Sequence, residues 1–323
     1  MLSTPPAAAA AASCPVPCVV ECIDEQGRRF YRQVLQSLTA AGVPFLLGGA
    51  YAMQVHAGLA RHTKDLDLFI RRGDYEQASE VLARSGLQAE LTYPHWLGKV
   101  RGEAGGEAFI DLIFNSGSGV SPVDDAWFAH AVRADLLGVE VAVCPVEETI
   151  WSKAFVMERE RYDGADVAHL LHARATHLDW DRLLRRFGGH WRVLLSHLVL
   201  FGFIYPAQRD AVPGWVMDGL LSRLRQEVPD GMRPGVCGGT LLSREQYLPD
   251  VHGEGLRDAR VAPLGTMSCA DVAQWTQAIP SREPQAPEAA ARVGAEQSVA
   301  GEEDPGAAGD IAPPAGPRPV SAA

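Results

Sequence analysis

Asp65 and Asp67 stand two residues apart in an otherwise apolar run that continues through Leu66, Leu68, Phe69 and Ile70. In a strand, whose side chains alternate between faces, both carboxylates fall on the same side. Two like charges there are costly unless a cation neutralises them, and a hard divalent ion such as Mg²⁺ prefers oxygen donors. Asp111 repeats the anomaly as a lone charge within Ala108-Phe109-Ile110-Asp111-Leu112-Ile113-Phe114. If the two strands are neighbours, three carboxylates converge, which is the layout that an in-line phosphoryl displacement on two metals requires. Asp65 and Asp67 would bridge the metals, and Asp111 would hold one of them and accept the proton of an incoming hydroxyl. The competing reading makes Asp65 and Asp67 strand-end residues paired with Arg61, Lys64 or Arg71.

A second element points to an anion beside this metal. Leu46-Leu47-Gly48-Gly49-Ala50 closes a hydrophobic strand with two glycines just before a short helix over Ala50 to His56. Backbone amides and the helix N-terminus are then open to a phosphate with no side chain in the way. Phosphate on one side and metal on the other describe a nucleotide site. The chain holds three Lys, at 64, 99 and 153, against 26 Arg, so each Lys carries more information than an average Arg.

These residues need a scaffold. Apolar spacing predicts a helix over Glu25 to Ala41 with Phe30, Val34, Leu35 and Leu38 inside, then a buried strand over Val43 to Leu47. The strand bearing the Asp pair follows, then a helix capped by Asp74, running through Leu82 and closed by Gly86. Strands are expected over Gln88 to Thr92, Trp96 to Arg101, Ala108 to Phe114 and Leu137 to Cys144. Gly102 to Gly106 reads as a hairpin turn. Ser116-Gly117-Ser118-Gly119 reads either as a cleft-lining loop or as a linker. After Pro145 the pattern turns helical over Val146 to Met157, Gly164 to Ala173 and Trp180 to Phe203. In the last of these, Leu183, Leu184, Phe187, Trp191, Leu194, Leu195 and Leu198 form a core stripe. The expected fold is α+β, a mixed sheet with flanking helices followed by a C-terminal helical bundle. The expected division is a flexible leader over 1–24, a catalytic domain over 25–144, a helical domain completing the cleft over 145–204, an extension over 205–280 and a disordered Pro/Ala/Gly/Glu-rich tail over 281–323.

The combination of Gly48-Gly49, Asp65-Leu66-Asp67 and Asp111, in that order, resembles the nucleotidyltransferase superfamily that includes DNA polymerase beta. It is similar above all to the small bacterial branch related to AbiEii-type toxins. Arg61-His62-Thr63 looks like the Arg-x-Thr lead-in of that branch. The block from Trp151 to Val167, with Lys153, a basic stretch, Asp163 and Asp166, resembles its second motif. The resemblance implies a nucleotidyltransferase-type fold and Mg²⁺ bound at Asp65, Asp67 and Asp111. It implies a nucleotide held by Gly48, Gly49, Arg61, Lys153 and Asp163, with Lys153 on the triphosphate and Asp163 orienting that Lys or the substrate. Asp166 is expected to cap or anchor the helix that follows. Gly49 stands where many members carry Ser. The motifs span roughly residues 25 to 200.

The remaining composition narrows the setting. A net charge of −11, of which seven acidic and three basic side chains lie in 281–323, argues against a dominant nucleic-acid footprint while leaving room for a tRNA end. Six scattered Cys do not form a disulfide scaffold, and Cys14, Cys18 and Cys22 lie beside Pro15 and Pro17 with no His to complete a metal set. His56, His95, His130, His172 and His177 share no ligand spacing. With no basic leader and no apolar run of about 18 residues, a soluble cytoplasmic protein is expected. The implied activity moves an NMP from an NTP such as ATP to a hydroxyl on a tRNA end, a protein or a small molecule. The alternatives are a catalytically silent binding module of the same fold, or one half of a toxin-antitoxin pair acting on a partner protein.

Overall fold

The computed structural model describes residues 14–15, 23–61, 63, 65–102, 108–226 and 234–277. Most of the leader, the side chains of Cys14, Cys18 and Cys22, His62, Lys64, the turn at 103–107 and the tail over 281–323 lie outside the described residues.

Residues 14–15 form a short strand, β1, which runs parallel to the chain at residues 134–135. Helix α1 (Glu25–Ala40) starts at Asp24, whose carboxylate accepts from the Gly27 N–H at 2.7 Å, and buries Phe30, Tyr31, Val34, Leu35 and Leu38 as its spacing predicts. Strand β2 (Leu46–Leu47) ends where expected, as Gly48 turns the chain straight into α2 (Gly49–Ala57), but starts at Leu46 instead of the expected Val43. Strand β3 (Asp65–Phe69) leads through a 3₁₀ turn into α3 (Tyr75–Arg84). Asp74 occupies the N-cap position of α3 without capping it, since its carboxylate is taken by Arg71 at 3.1 Å. Strands β4 (Ala89–Tyr93), β5 (Leu97–Arg101) and β6 (Phe109–Ile113) form an antiparallel meander, and α4 (Asp125–Ala129) follows.

Strands β7 (Val132–Leu136) and β8 (Val139–Val143) form a hairpin where sequence spacing gave a single strand. Its two turn residues, Leu137 and Gly138, both have positive φ, of 56° and 78°. That conformation usually calls for Asn, Asp or Gly at both positions, so a Leu disguised the turn. The sheet order is β1-β7-β8-β2-β3-β6-β5-β4. Parallel pairing of β3 with β6 sets Asp67 directly opposite Asp111, and antiparallel pairing of β6 with β5 sets Asp111 opposite Lys99.

The two faces of this mixed sheet bury different partners. Leu66, Leu68, Ile110 and Leu112 pack with α1 and α3 in one core. The opposite face, which carries the acidic residues, meets the helical part through Leu46, Trp127, Cys144 and Trp151. Each fully buried Leu of this kind contributes about 2 kcal/mol.

The helical part comprises α5 (Val146–Lys153), α6 (Gly164–Arg174), α7 (Trp180–Phe187), α8 (Trp191–Ile204) and α9 (Gly214–Arg225). The expected single helix from Trp180 breaks at Gly188, which has a φ of +47°, so α7 and α8 meet through a 3₁₀ turn. The Trp180–Ile204 run is long and apolar enough to cross a membrane by composition, but Leu183, Phe187, Trp191, Leu194, Leu198 and Phe201 are buried in the protein core. Glu147 and Glu148, buried on α5, are met by Arg182 and Arg186 of α7, which locks the two helices together. Strand β9 (Val236–Cys237), α10 (Leu248–Gly253), strand β10 (Arg257–Asp258) and α11 (Cys269–Gln277) complete the chain, with β10 parallel to β9. The described residues all fall in one compact unit.

Candidate active site

Period 2 along β3 and the parallel register with β6 converge Asp65, Asp67 and Asp111, whose carboxylate oxygens lie within 4.8 Å of one another. Among the described residues this is the one such group of potential metal ligands. Neither Arg61 nor Arg71 neutralises the Asp pair, since Arg61 pairs with Asp166 and Arg71 with Asp74 and Asp125. Thr63 donates a hydrogen bond to the Asp65 carboxylate.

The electrostatics follow from crowding three acids. Burial, then Asp65 and Asp111, push the Asp67 carboxyl up to about 7, against weaker help from Lys153 and Arg161. Burial also raises Asp111, opposed by the Lys99 ammonium 2.7 Å from its Oδ1. Burial and then the three carboxylates raise the Tyr31 hydroxyl, which stays protonated behind them. The donor set fits a hard divalent cation: all ligands are carboxylate oxygens, they are within reach of one ion, and their charge exceeds what the adjacent side chains neutralise.

Gly48 and Gly49 are required by shape. A Cβ on Gly48 would lie 2.3 Å from the Phe69 ring, and one on Gly49 would lie 1.8 Å from Asp67 Oδ2. Gly49 also has a φ of +53°. The Gly48 N–H donates to the Asp67 carbonyl at 2.9 Å, so the N-terminus of α2 is pinned beside the carboxylates.

On the helical side the charges form a ladder. Lys153 bonds Asp163 at 2.9 Å and Asp166 at 2.8 Å. Arg161 meets Asp163 at 3.0 Å, and Arg61 meets Asp166. Burial alone would raise Asp163, but Lys153 and Arg161 outweigh it and hold the carboxyl below its usual range. Asp166 therefore anchors α6 through two cations. Asp163 sits at the N-cap position of that helix without capping it.

The triad, Gly48, Gly49, Lys153, Arg161 and Asp163 all line one cleft. Arg61 is not among the lining residues and is linked to Lys153 through Asp166. Residues 25–190, just over half of the chain, match the family described as "Uncharacterised nucleotidyltransferase". The chain belongs to this nucleotidyltransferase family.

No curated protein matches the chain in sequence. Several solved structures are similar to parts of it. One is the antibiotic-resistance factor ANT(2'')-Ia, at 16% identity over 54% of this chain and 98% of that one, with a TM-score of 0.35. Another is the lincosamide antibiotic adenylyltransferase LnuA, at 13% identity over 47% and 99%, with a TM-score of 0.33. A third is an antigenic nucleotidyltransferase-like protein from Paracoccidioides brasiliensis, at 13% identity over 58% and 92%, with a TM-score of 0.38.

In and beside the nucleotidyltransferase cleft stand residues that sequence reasoning did not assign. Lys99 faces Asp111 across β5 and β6, and its rarity as a Lys was the available signal. Ser116, Gly117 and Ser118 line the cleft, which decides between the two readings of that loop. Thr240 to Arg244 and Trp275 also line it, from a stretch whose Pro and Gly content hid any periodicity.

Proposed function

We propose that the chain transfers a nucleoside monophosphate from an NTP onto an acceptor hydroxyl in a Mg²⁺-dependent reaction. The observation that carries this reading is the convergence of three carboxylates within 4.8 Å, beside the pinned N-terminus of α2. Asp65, Asp67 and Asp111 would hold the divalent cation, which when bound neutralises their charge and polarises the phosphoryl group under attack. The N-terminus of α2 at Gly49 orients the phosphate tail, because no Cβ intervenes at Gly48 or Gly49, while the Gly48 N–H, taken by the Asp67 carbonyl, fixes where that terminus stands. Lys153 and Arg161, arrayed on Asp163, supply positive charge for the triphosphate and steer it along the cleft. Arg61 acts indirectly, by fixing Asp166 and so the position of Lys153. Asp111 is suited to take the proton of the acceptor hydroxyl, since Lys99 holds one of its oxygens and burial raises its proton affinity.

Equilibrium binding tests the reading before any acceptor is known. Calorimetric titration of the purified chain with each NTP is expected to give binding with Mg²⁺ and none with excess EDTA. Absence of binding for every NTP would leave a catalytically silent module of this fold.

A further inference from the structure

The strand order divides the cleft. Gly48-Gly49 and Lys153 follow β2 and β8, on one side of the paired strands β3 and β6. On the other side lie β5 and β4, whose connecting turn carries His95 and Trp96. There α11 lays Trp275 against Tyr93, with ring centroids 5.0 Å apart at 80°, and against Trp96, 5.1 Å apart at 73°. Gly117 makes this approach possible, since a Cβ there would lie 2.7 Å from the Trp275 ring. His95 Nε2 holds the same loop at the Gly117 carbonyl, 3.1 Å away. The Arg244 guanidinium lies 4.7 Å from the Trp275 ring centroid and bonds Glu160 at 2.8 Å.

Two polar groups in this corner lack hydrogen-bond partners. The Trp96 indole N–H is buried with no acceptor in hydrogen-bonding geometry, and the Arg244 Nε, which also makes no hydrogen bond, lies 3.8 Å from its ion-pair partner Glu158. Such groups cost free energy unless a ligand completes them. Trp96, Trp275, Arg244, Ser116, Ser118 and Ser243 line the same cleft as the three carboxylates, and the cleft volume is about 330 Å³. Pockets of this size fit small molecules.

We propose that Trp96, Trp275 and Arg244, with Ser116 and Ser118, form the acceptor subsite for a small molecule bearing a puckered, polyhydroxylated ring, such as a sugar or cyclitol. The proposal rests on the nucleotidyl-transfer reading above. A flat base is best clamped between parallel rings, whereas Trp96 and Trp275 stand nearly perpendicular and make a corner. Aromatic faces carry negative charge density, so a corner of two indoles attracts the polarised C–H edges of a saturated ring. Serine hydroxyls and a guanidinium at the rim match ring hydroxyls. Residues 234–277, which lie beyond the family match at 25–190, thereby set specificity in this chain.

The test uses the full chain with Mg²⁺ and α-phosphate-labelled NTPs. Acceptors are supplied in separate arms: methyl glycosides, amino sugars and inositols in one, total tRNA in a second, and dialysed cell protein in a third. Label is expected in a ring compound. Trp275→Leu is expected to raise the KM for that compound about tenfold, the scale of one aromatic contact, with kcat within about twofold. Trp275→Phe keeps a ring face and is expected to recover to within about threefold. Arg244→Gln, at a partly exposed side chain, is expected to raise the same KM and serves if Trp275→Leu does not fold. Label only in tRNA or protein, or an unchanged KM in both Trp275→Leu and Arg244→Gln, would overturn the subsite and leave nucleotidyl transfer standing. Absence of Mg²⁺-dependent NTP binding, with no label in any arm, would overturn both.

Discussion

At Gly49 the backbone and the acidic triad meet so closely that a methyl group has no room beside Asp67. Gly49→Ala adds a Cβ that must displace the Asp67 carboxylate and hold a positive φ. It is expected to destabilise the protein by about 1 to 3 kcal/mol and to remove Mg²⁺-dependent NTP binding, read by thermal unfolding and calorimetry. Asp67→Asn has the opposite effect on the metal-free protein. Removing one of three crowded negative charges is expected to stabilise it by about 1 to 2 kcal/mol. The same variant is expected to lose the stabilisation that Mg²⁺ gives the wild type, which unfolding scans with and without the ion would report. A merely structural aspartate would lower stability in both conditions.

Between elements, the ladder Arg61–Asp166–Lys153–Asp163–Arg161 ties α5 and α6 to the segments before β3 and α6. Lys153→Met leaves each Asp with one Arg, so the expected cost is about 1 to 3 kcal/mol, below that of an unpaired buried charge. If Lys153 also meets the triphosphate, NTP affinity falls by more than about tenfold at a temperature where the variant is folded, a loss about the size of one charged contact. Unchanged affinity would make the Lys purely structural. Two buried histidines clamp neighbouring elements. His56 donates to the Cys144 carbonyl at 2.7 Å and His197 to that of Ala154 at 2.9 Å, and burial lowers the pKa of both. Both bind a proton less readily when folded than when unfolded, so as pH falls through about 6.5 the unfolded chain takes up more protons than the folded one, and stability falls. The double variant His56→Gln/His197→Gln is expected to flatten that decline between about pH 7 and 5 in unfolding experiments, each His contributing at most about 1.4 kcal/mol per pH unit.

At the scale of the whole molecule, what was legible in the sequence depended on how local the cause was. A misplaced charge on a strand shows in two or three residues, so Asp65, Asp67 and Asp111 were readable. Their convergence depends on the β3–β6 pairing across more than forty residues, and spacing could only state it as a condition. The mixed sheet, with β3 and β6 side by side, supplies this pairing. The β7–β8 turn hid because Leu137 adopts a conformation rare for Leu, and the break between α7 and α8 was carried by Gly188 inside an apolar stripe. The wall made by Thr240 to Arg244 and Trp275 had no local signal, since it depends on a long return of the chain to the sheet. The most direct measurement incubates the chain with Mg²⁺, each α-phosphate-labelled NTP and a cell extract, following pyrophosphate release and label transfer in the wild type, Asp65→Ala and Asp67→Ala. Transfer in the wild type that disappears in both variants is expected, and transfer that persists undiminished in both would contradict the assignment of the site.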